Sequence, residues 1–134
     1  MKILIDTNVI IDSLSAREPY NKEADAVFEA IAIKTIAGYV TISSITDIYY
    51  ILCKTFSDAD SRSKVRILLN LLHVIEVKET DCLAALDSYL PDFEDALIVA
   101  CFERENLDFI VTRDIDFLKF QKALTPGEFL DKIE

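Results

Sequence analysis

The sequence is most informative at residues 2–12, KILIDTNVIID, where a short apolar run stops at an acid. Residues 2–5 predict a buried strand that ends at Asp6, and the apolar spacing over Val9–Leu14 predicts a short helix directly after it. Charged side chains are almost never fully buried without a partner, so an acid that closes a buried strand is hard to explain as a solvated surface group. Asp6 is therefore the first candidate for a functional site.

Short β-rich runs and helical patterns alternate along the rest of the chain. A long helix with apolar residues from Ala24 to Ile36 is expected to end at Gly38. Further strands are expected at residues 39–42, 74–77 and 108–112. One further helix is expected to begin after a cap at Ser43 or Ser44, and another at Asp58 or Ser61. The remaining helices are expected over residues 80–89, 92–105 and 126–133. This alternation predicts an α/β fold. We expect one domain over residues 1–134, with a central parallel sheet of four to five strands and helices on both faces.

Composition narrows the class of protein. The formal net charge of -10 argues against a protein that is held to nucleic acid by a basic surface alone. It leaves room for a nucleic-acid enzyme, because bound divalent cations can neutralise a concentrated acidic site. The three cysteines are far apart without CxxC spacing, and they are typical of buried residues in a reducing compartment. No signal-peptide pattern and no membrane-length apolar run is present, so we expect a cytoplasmic protein.

A second stretch, VTRDIDF at residues 111–117, repeats the arrangement of the first, since an apolar run ends and Asp114 and Asp116 follow. Asp47 is expected in the first turn of the helix after the second strand. Asp95 is expected in the first turn of the helix that precedes the fourth strand. Ligands of open α/β sheets bind beyond the carboxyl ends of the strands, where most of these acids fall.

Several carboxylates in one place would repel one another and raise one another's pKa values. Basic partners are scarce, since only Arg113 lies among these acids in the sequence. Mg²⁺ or Mn²⁺ would relieve the repulsion, because both ions prefer carboxylate oxygens. Such ions can activate water and stabilise a leaving oxygen, which favours phosphodiester hydrolysis.

The same residues resemble a known family. The chain is similar to the PIN domain, the small metal-dependent ribonuclease fold of many VapC-like toxins in bacterial and archaeal toxin–antitoxin pairs. The resemblance covers nearly the whole chain and runs through ILIDTNVIID, TISSITDIYYIL, PDFEDALIVACFERENLDFIVTRDIDF and LTPGEFL. The family's four acids fall on Asp6, Asp47, Asp95 and Asp114. Asp116 matches a further acid of many members, and the polar positions that support the site fall on Asn8, Ser44 and Thr112.

The resemblance implies a Mg²⁺- or Mn²⁺-dependent endoribonuclease, restrained by an antitoxin protein and acting on RNA. Asp6, Asp95 and Asp114 would hold the metal, while Asp47 and Asp116 would orient or deprotonate the attacking water. Most of the toxins have Glu where this chain has the shorter Asp47. That departure leaves open a catalytically weak module that binds nucleic acid or protein. Paired helices rich in Ile, Tyr and Phe favour a homodimer. We expect no association with a membrane.

Structural interpretations compete for several of these side chains. Asp92 is typical of a helix N-cap, Glu94 of a solvated position, and Asp47 of an acid that favours its helix dipole. Asp114 and Asp116 also suit a turn. Surface or capping roles are expected for Asp12, Asp58 and Asp60.

Two further groups of residues have mainly structural interpretations. A lone His73 is expected to be structural. Arg62 and Arg66 share a helix face that is ordinarily solvated, although they could touch phosphate. An acyl-phosphate enzyme would also place an acid at Asp6. Such phosphatases need a second acid where this chain has Asn8.

Overall fold

A computed structural model describes residues 1–33 and 35–134. Five parallel strands form one sheet in the order β3-β2-β1-β4-β5. The strands are β1 (Lys2–Ile5), β2 (Ala37–Thr41), β3 (His73–Ile75), β4 (Phe109–Val111) and β5 (Ala123–Leu124). The helices are α1 (Thr7–Leu14), α2 (Asn21–Ala32), α3 (Ile42–Leu52), α4 (Asp58–Leu71), α5 (Glu79–Leu86), α6 (Phe93–Arg104) and α7 (Pro126–Ile133), with a 3₁₀ turn at Phe117–Lys119. The predicted α/β fold with a parallel sheet is confirmed.

Helices cover both faces of the sheet, as the side chains of β1 show. Ile3 and Ile5 lie in a core cluster that α1, α2, α3, α4 and α7 complete. Leu4, between them, lies in a second cluster with α6 and the 3₁₀ turn. Successive side chains of a strand point to opposite faces, so β1 is buried on both sides. This explains why its sequence is continuously apolar.

The chain changes direction across the sheet at β1. It runs outward from β1 through β2 to β3, and then returns to place β4 on the other side of β1. In open parallel sheets, ligand sites form where the strand order reverses, beyond the carboxyl ends of the strands. Here that point lies between the ends of β1 and β4, directly before Asp6 and Thr112.

Two expected helix boundaries are wrong. Helix α2 ends at Ala32, and Gly38 lies inside β2 instead of ending the helix. A Cβ atom at Gly38 would lie 2.6 Å from side-chain carbons of Ile31 and Leu72, so the glycine permits close packing of the helix on the strand. Ile36 is buried outside the helix, in the bend that leads to β2.

Helix α3 begins earlier than expected. Thr41 takes the N-cap position in place of Ser43 or Ser44, because β2 runs directly into the helix. The Thr41 hydroxyl lies 3.1 Å from the Ser43 hydroxyl and 2.9 Å from that of Ser44. Asp47 consequently lies in the second turn of α3, not in its first.

Smaller differences affect the ends of other elements. β5 is only two residues long and was not predicted. β3 begins at His73, one residue before the strand expected at residues 74–77, and ends at Ile75. In the described ranges, no helix is both long enough and apolar enough to cross a membrane.

Candidate active site

Asp6 lies at the centre of the candidate site, where β1 meets α1. Its backbone N–H donates to the Val111 carbonyl oxygen at 2.9 Å, which ties it to the end of β4. The carboxylate caps α1 by accepting the Thr7 N–H at 2.8 Å. Only 8% of the residue is exposed. A buried carboxylate at a helix N-terminus gains from the helix dipole, which partly offsets the cost of burying its charge.

Thr112 and Asn8 hold the second oxygen of Asp6. The Thr112 hydroxyl donates to Asp6 Oδ2 at 2.7 Å, and the Asn8 amide donates to the same oxygen at 3.3 Å. The Thr112 hydroxyl oxygen also accepts the Asp114 N–H at 3.1 Å. One buried hydroxyl therefore joins the acid after β1 to the acid after β4. The structure places the predicted supporting residues Asn8 and Thr112 in direct contact with Asp6.

Helix α6 contributes a second group of acids. Asp92 is its N-cap, as predicted, and its Oδ1 accepts the Asp95 N–H at 3.0 Å. Asp95 lies in the first turn, and its side chain is partly buried. α6 enters the site with its N-terminal end, so Asp95 reaches the ends of the strands although it precedes β4 in the chain.

Helix α3 forms the opposite wall. Its side of the cleft is lined by Ser43, Ser44, Asp47 and Tyr50, which share one helix face. Lys54 lines the cleft just beyond the end of α3. Ser44 is buried and bonded to Thr41, so it shapes the wall without contacting an acid in the described part of the chain.

The walls enclose a cleft of about 670 Å³. Its lining includes the four family acids Asp6, Asp47, Asp95 and Asp114, two further acids, Asp92 and Glu94, and two basic residues, Arg17 and Lys54. Acids outnumber bases here by three to one, so the cleft carries a strong negative charge.

This charge changes the acid–base behaviour of the cleft. Burial, together with the charges of Asp92, Asp6, Asp114 and Glu94, raises the pKa of Asp95 to about 7. Burial also raises the pKa of Asp6, although the hydrogen bonds from Thr112 and Thr7 oppose this. The protein alone does not neutralise these carboxylates.

Glu94 is an acid of the site that the sequence interpretation missed. The side chain of Glu94 is exposed, as expected, but it lines the cleft near Asp47. Partial desolvation and the nearby carboxylates of Asp47, Asp92 and Asp6 raise the pKa of Glu94. The sequence placed Asp47 and Glu94 on separate helices and did not show that α3 and α6 face each other across the cleft.

Two other acids differ from expectation. Asp116 was a candidate catalytic residue, but it does not line the cleft in the described part of the chain. Its exposed carboxylate lies 3.5 Å from Lys119, and its N–H donates to Asp114 Oδ1. Asp12 was expected to be a surface or capping group, but its side chain is 1% exposed and pairs with Arg113. The physical reason is that Asp12 lies on the inward face of α1.

Metal binding can be tested against the oxygens of these acids. Of four carboxylate lone-pair sites on Asp6, three accept the bonds from Thr7, Thr112 and Asn8, which leaves a position on Oδ1. Among the residues that the structure describes, no three His, Cys, Asp or Glu side chains converge on one point as they stand. Mg²⁺ is commonly held by one or two carboxylates and completes its shell with water. The oxygens present fit such a hydrated ion.

A protein-family model described as a PIN domain matches residues 2–116 of the sequence. This chain belongs to the PIN-domain family. A comparison with curated proteins gives no match.

Solved structures share the fold at low sequence identity. A toxin–antitoxin complex from Klebsiella pneumoniae aligns with a TM-score of 0.73 at 22% identity, over 92% of this chain and 97% of that chain. VapC20 from Mycobacterium tuberculosis is described as a sarcin-ricin loop cleaving toxin. It aligns with a TM-score of 0.72 at 16% identity, over 90% of this chain and 95% of that chain. VapBC2 from Rickettsia felis, bound to a promoter DNA fragment, aligns with a TM-score of 0.65 at 16% identity, over 93% of this chain and 97% of that chain. Identities this low support the fold alone.

Proposed function

We propose that this protein is a Mg²⁺- or Mn²⁺-dependent endoribonuclease and the toxin of a toxin–antitoxin pair. The observation that carries the proposal is the cleft at the ends of β1 and β4, where acids from four segments of the chain face one another with few basic residues. Such an arrangement is costly unless cations neutralise it, and RNA phosphates enter an acidic cleft only if cations are present.

The residues of the cleft have separable roles in this proposal. Asp6, Asp95 and Asp114 would hold the ion, together with water. When bound, the ion would supply positive charge that polarises the phosphate and lowers the pKa of a water molecule. Thr112 and Asn8 fix the orientation of Asp6, which supports both metal affinity and placement of the substrate.

Asp47 would orient the attacking water and accept its proton, because it faces the other acids from α3. Glu94 lines the same cleft from α6 and supplies a second carboxylate near Asp47. Glu94 therefore offsets part of the reach that Asp47 loses by having one methylene fewer than Glu. Asp116 would act only indirectly, through its N–H bond to Asp114.

The structural neighbours support the biological assignment. One is a toxin–antitoxin complex, and another is described as a sarcin-ricin loop cleaving toxin. By analogy, we propose an RNA substrate and an antitoxin partner for this chain.

Cleavage of RNA by the purified protein tests the proposal. We expect cleavage with Mg²⁺ or Mn²⁺ and none with a chelator. Asp6→Asn and Asp95→Asn should abolish it, whereas Asp131→Asn should not, because Asp131 is an exposed acid of α7 outside the cleft. Cleavage that survives both cleft substitutions would refute the enzymatic role of these acids.

A second candidate is a PIN-fold module that binds nucleic acid or protein with little catalysis. It is favoured by Asp47, whose carboxylate is one methylene shorter than the Glu of most of the toxins. Calorimetry separates the two functions, since tight binding of Mg²⁺ without RNA cleavage would support the module.

We also propose a homodimer. Exposed apolar side chains occur on and just after α5: Leu83, Leu86 and Tyr89 are 57%, 68% and 78% exposed. Their spacing of three residues places Leu83 and Leu86 on one face of the helix. Apolar side chains grouped in this way commonly mark an interface. Sedimentation that gives a monomer at every concentration would refute the homodimer.

A further inference from the structure

A buried ion pair lies beside the cleft and takes no part in the function proposed above. Arg113 Nε and Nη2 donate to Asp12 Oδ2 and Oδ1 at 2.7 and 2.9 Å. The Asp12 side chain is 1% exposed and that of Arg113 is 29% exposed. The guanidinium also stacks 3.8 Å from the centre of the Tyr20 ring. A bidentate, stacked arginine is held firmly in one direction.

That direction leads away from the acids, although the backbone of Arg113 lies among them. Arg113 stands between Thr112, which bonds Asp6, and Asp114, which lines the cleft. Its own N–H donates to Asn8 Oδ1 at 3.2 Å, and Asn8 bonds Asp6. Only the Arg113 side chain points out of the site, where its guanidinium pairs with Asp12 on α1.

The position of Arg113 matters because guanidinium and a metal ion compete for the same oxygens. Arginine binds carboxylates through two parallel hydrogen bonds, with a geometry that occupies both oxygens. An arginine paired with Asp114 or Asp6 would neutralise the cleft without any ion. Metal affinity falls when the charge of the ligands falls.

We propose that Asp12 is a positioning residue that holds the Arg113 guanidinium outside the acidic cleft, so that Asp6 and Asp114 remain available to a divalent ion. The inference rests on the proposed function, because it concerns the metal site of that function. It assigns a role to the buried acid of α1 and explains how an arginine can lie next to a metal ligand in the sequence without blocking it.

The chain contains a second buried pair that serves as a matched control. Arg104 Nε and Nη2 donate to Asp81 Oδ1 and Oδ2, each at 2.9 Å, between α5 and α6. The side chains of Asp81 and Arg104 are 4% and 23% exposed, close to the values of the first pair. Neither residue lines the cleft, so Asp81→Asn breaks a similar pair at a distance from the acids.

Binding of Mn²⁺ alone, measured by calorimetry on the full chain, tests the inference. We expect Asp12→Asn to weaken binding about tenfold, equivalent to about 1.4 kcal/mol, because the freed Arg113 turns to the cleft acids. The double variant Asp12→Asn/Arg113→Gln should return to within about twofold of the unsubstituted protein, because the competing cation is gone. Asp81→Asn should bind Mn²⁺ normally.

Arg113→Gln alone keeps the inference testable if Asp12→Asn does not fold. Asp12 then retains Arg17, whose Nη1 lies 3.8 Å from its Oδ1. We expect unchanged Mn²⁺ affinity, because the variant adds no cation to the cleft and leaves Arg17 with its partner Asp12. Weakened binding by this variant would overturn the inference, since the pair would then act as a clamp and not by excluding a charge.

The other outcomes are equally decisive. Normal binding by Asp12→Asn, or loss that the double variant does not restore, refutes the inference alone. Equal loss in Asp81→Asn also refutes it, because the effect would then come from stability. Absence of Mn²⁺ binding by the unsubstituted protein refutes the proposed function and the inference together.

Discussion

Replacing Asp95 with asparagine should stabilise the metal-free protein at high pH. The substitution removes one charge from a group of mutually repelling acids and keeps the size of the side chain. Burial and the neighbouring acids raise the Asp95 pKa from 3.8 to about 7. At about 1.4 kcal/mol per pH unit, that rise corresponds to ~4 kcal/mol. Asp95 is only partly buried, so solvent screening reduces the effect to roughly 2 kcal/mol.

The direction of the pH dependence follows from proton linkage. Because the pKa of Asp95 is higher in the folded state, the folded protein binds this proton more tightly than the unfolded chain does. The resulting stability is fully present below pH 3.8 and is lost as the pH rises to about 7. Asp95→Asn removes that loss. We expect it to stabilise the protein by roughly 2 kcal/mol at pH 8 and by less than about 1 kcal/mol at pH 5.

Urea denaturation in the presence of a chelator measures this difference in the free energy of unfolding. In thermal denaturation of a chain of this size, roughly 2 kcal/mol corresponds to a rise in Tm of about 6–8 °C. Asp131→Asn is the control, since it removes an exposed charge outside the cleft and should change little at either pH. A stabilisation equal at pH 5 and pH 8, or a destabilisation at pH 8, would refute the electrostatic argument.

Three other substitutions test the buried Asp81–Arg104 pair, the Thr112 hydroxyl and the role of Asp116. Asp81→Asn should destabilise the fold by about 3–5 kcal/mol in urea denaturation, because the Arg104 charge stays partly buried without its partner; a loss below about 1 kcal/mol would contradict this. Thr112→Val removes the hydroxyl that donates to Asp6 and should weaken Mn²⁺ binding about tenfold or more in calorimetry. Unchanged affinity would show that this bond does not organise the site. Asp116→Asn should change the RNA cleavage rate by less than about fivefold, since it breaks only a surface pair worth up to about 1 kcal/mol. Loss of cleavage would return Asp116 to the catalytic residues.

The parts of the fold that the sequence predicts are those with strong local signals. Residues 3–5 of β1 and all of β4 are apolar because both faces of the sheet are covered. Asp6 follows β1 directly, and Asp114 lies three residues after the end of β4. Asp92 was predicted as an N-cap because the capping preference of Asp depends on its own helix start. The end of α2 was misplaced because Gly38 acts through packing against Ile31 and Leu72, which no local pattern shows.

The parts of the site that sequence interpretation missed depend on distant partners. Asp12 and Arg113 are 101 residues apart, and nothing in either segment indicates that they pair. Glu94 is exposed as expected, but its place in the cleft near Asp47 depends on α3 and α6 lying on opposite walls, which neither helix shows by itself. Such pairings follow from the sheet order, which brings β4 beside β1.

Anomalous diffraction from crystals soaked in Mn²⁺ gives the most direct test of the metal site. We expect a manganese peak inside the cleft, with oxygens of Asp6, Asp95 or Asp114 at about 2.0–2.2 Å and water in the remaining positions. A fully occupied peak elsewhere on the protein, or a cleft without manganese while all three acids remain ordered, would contradict it.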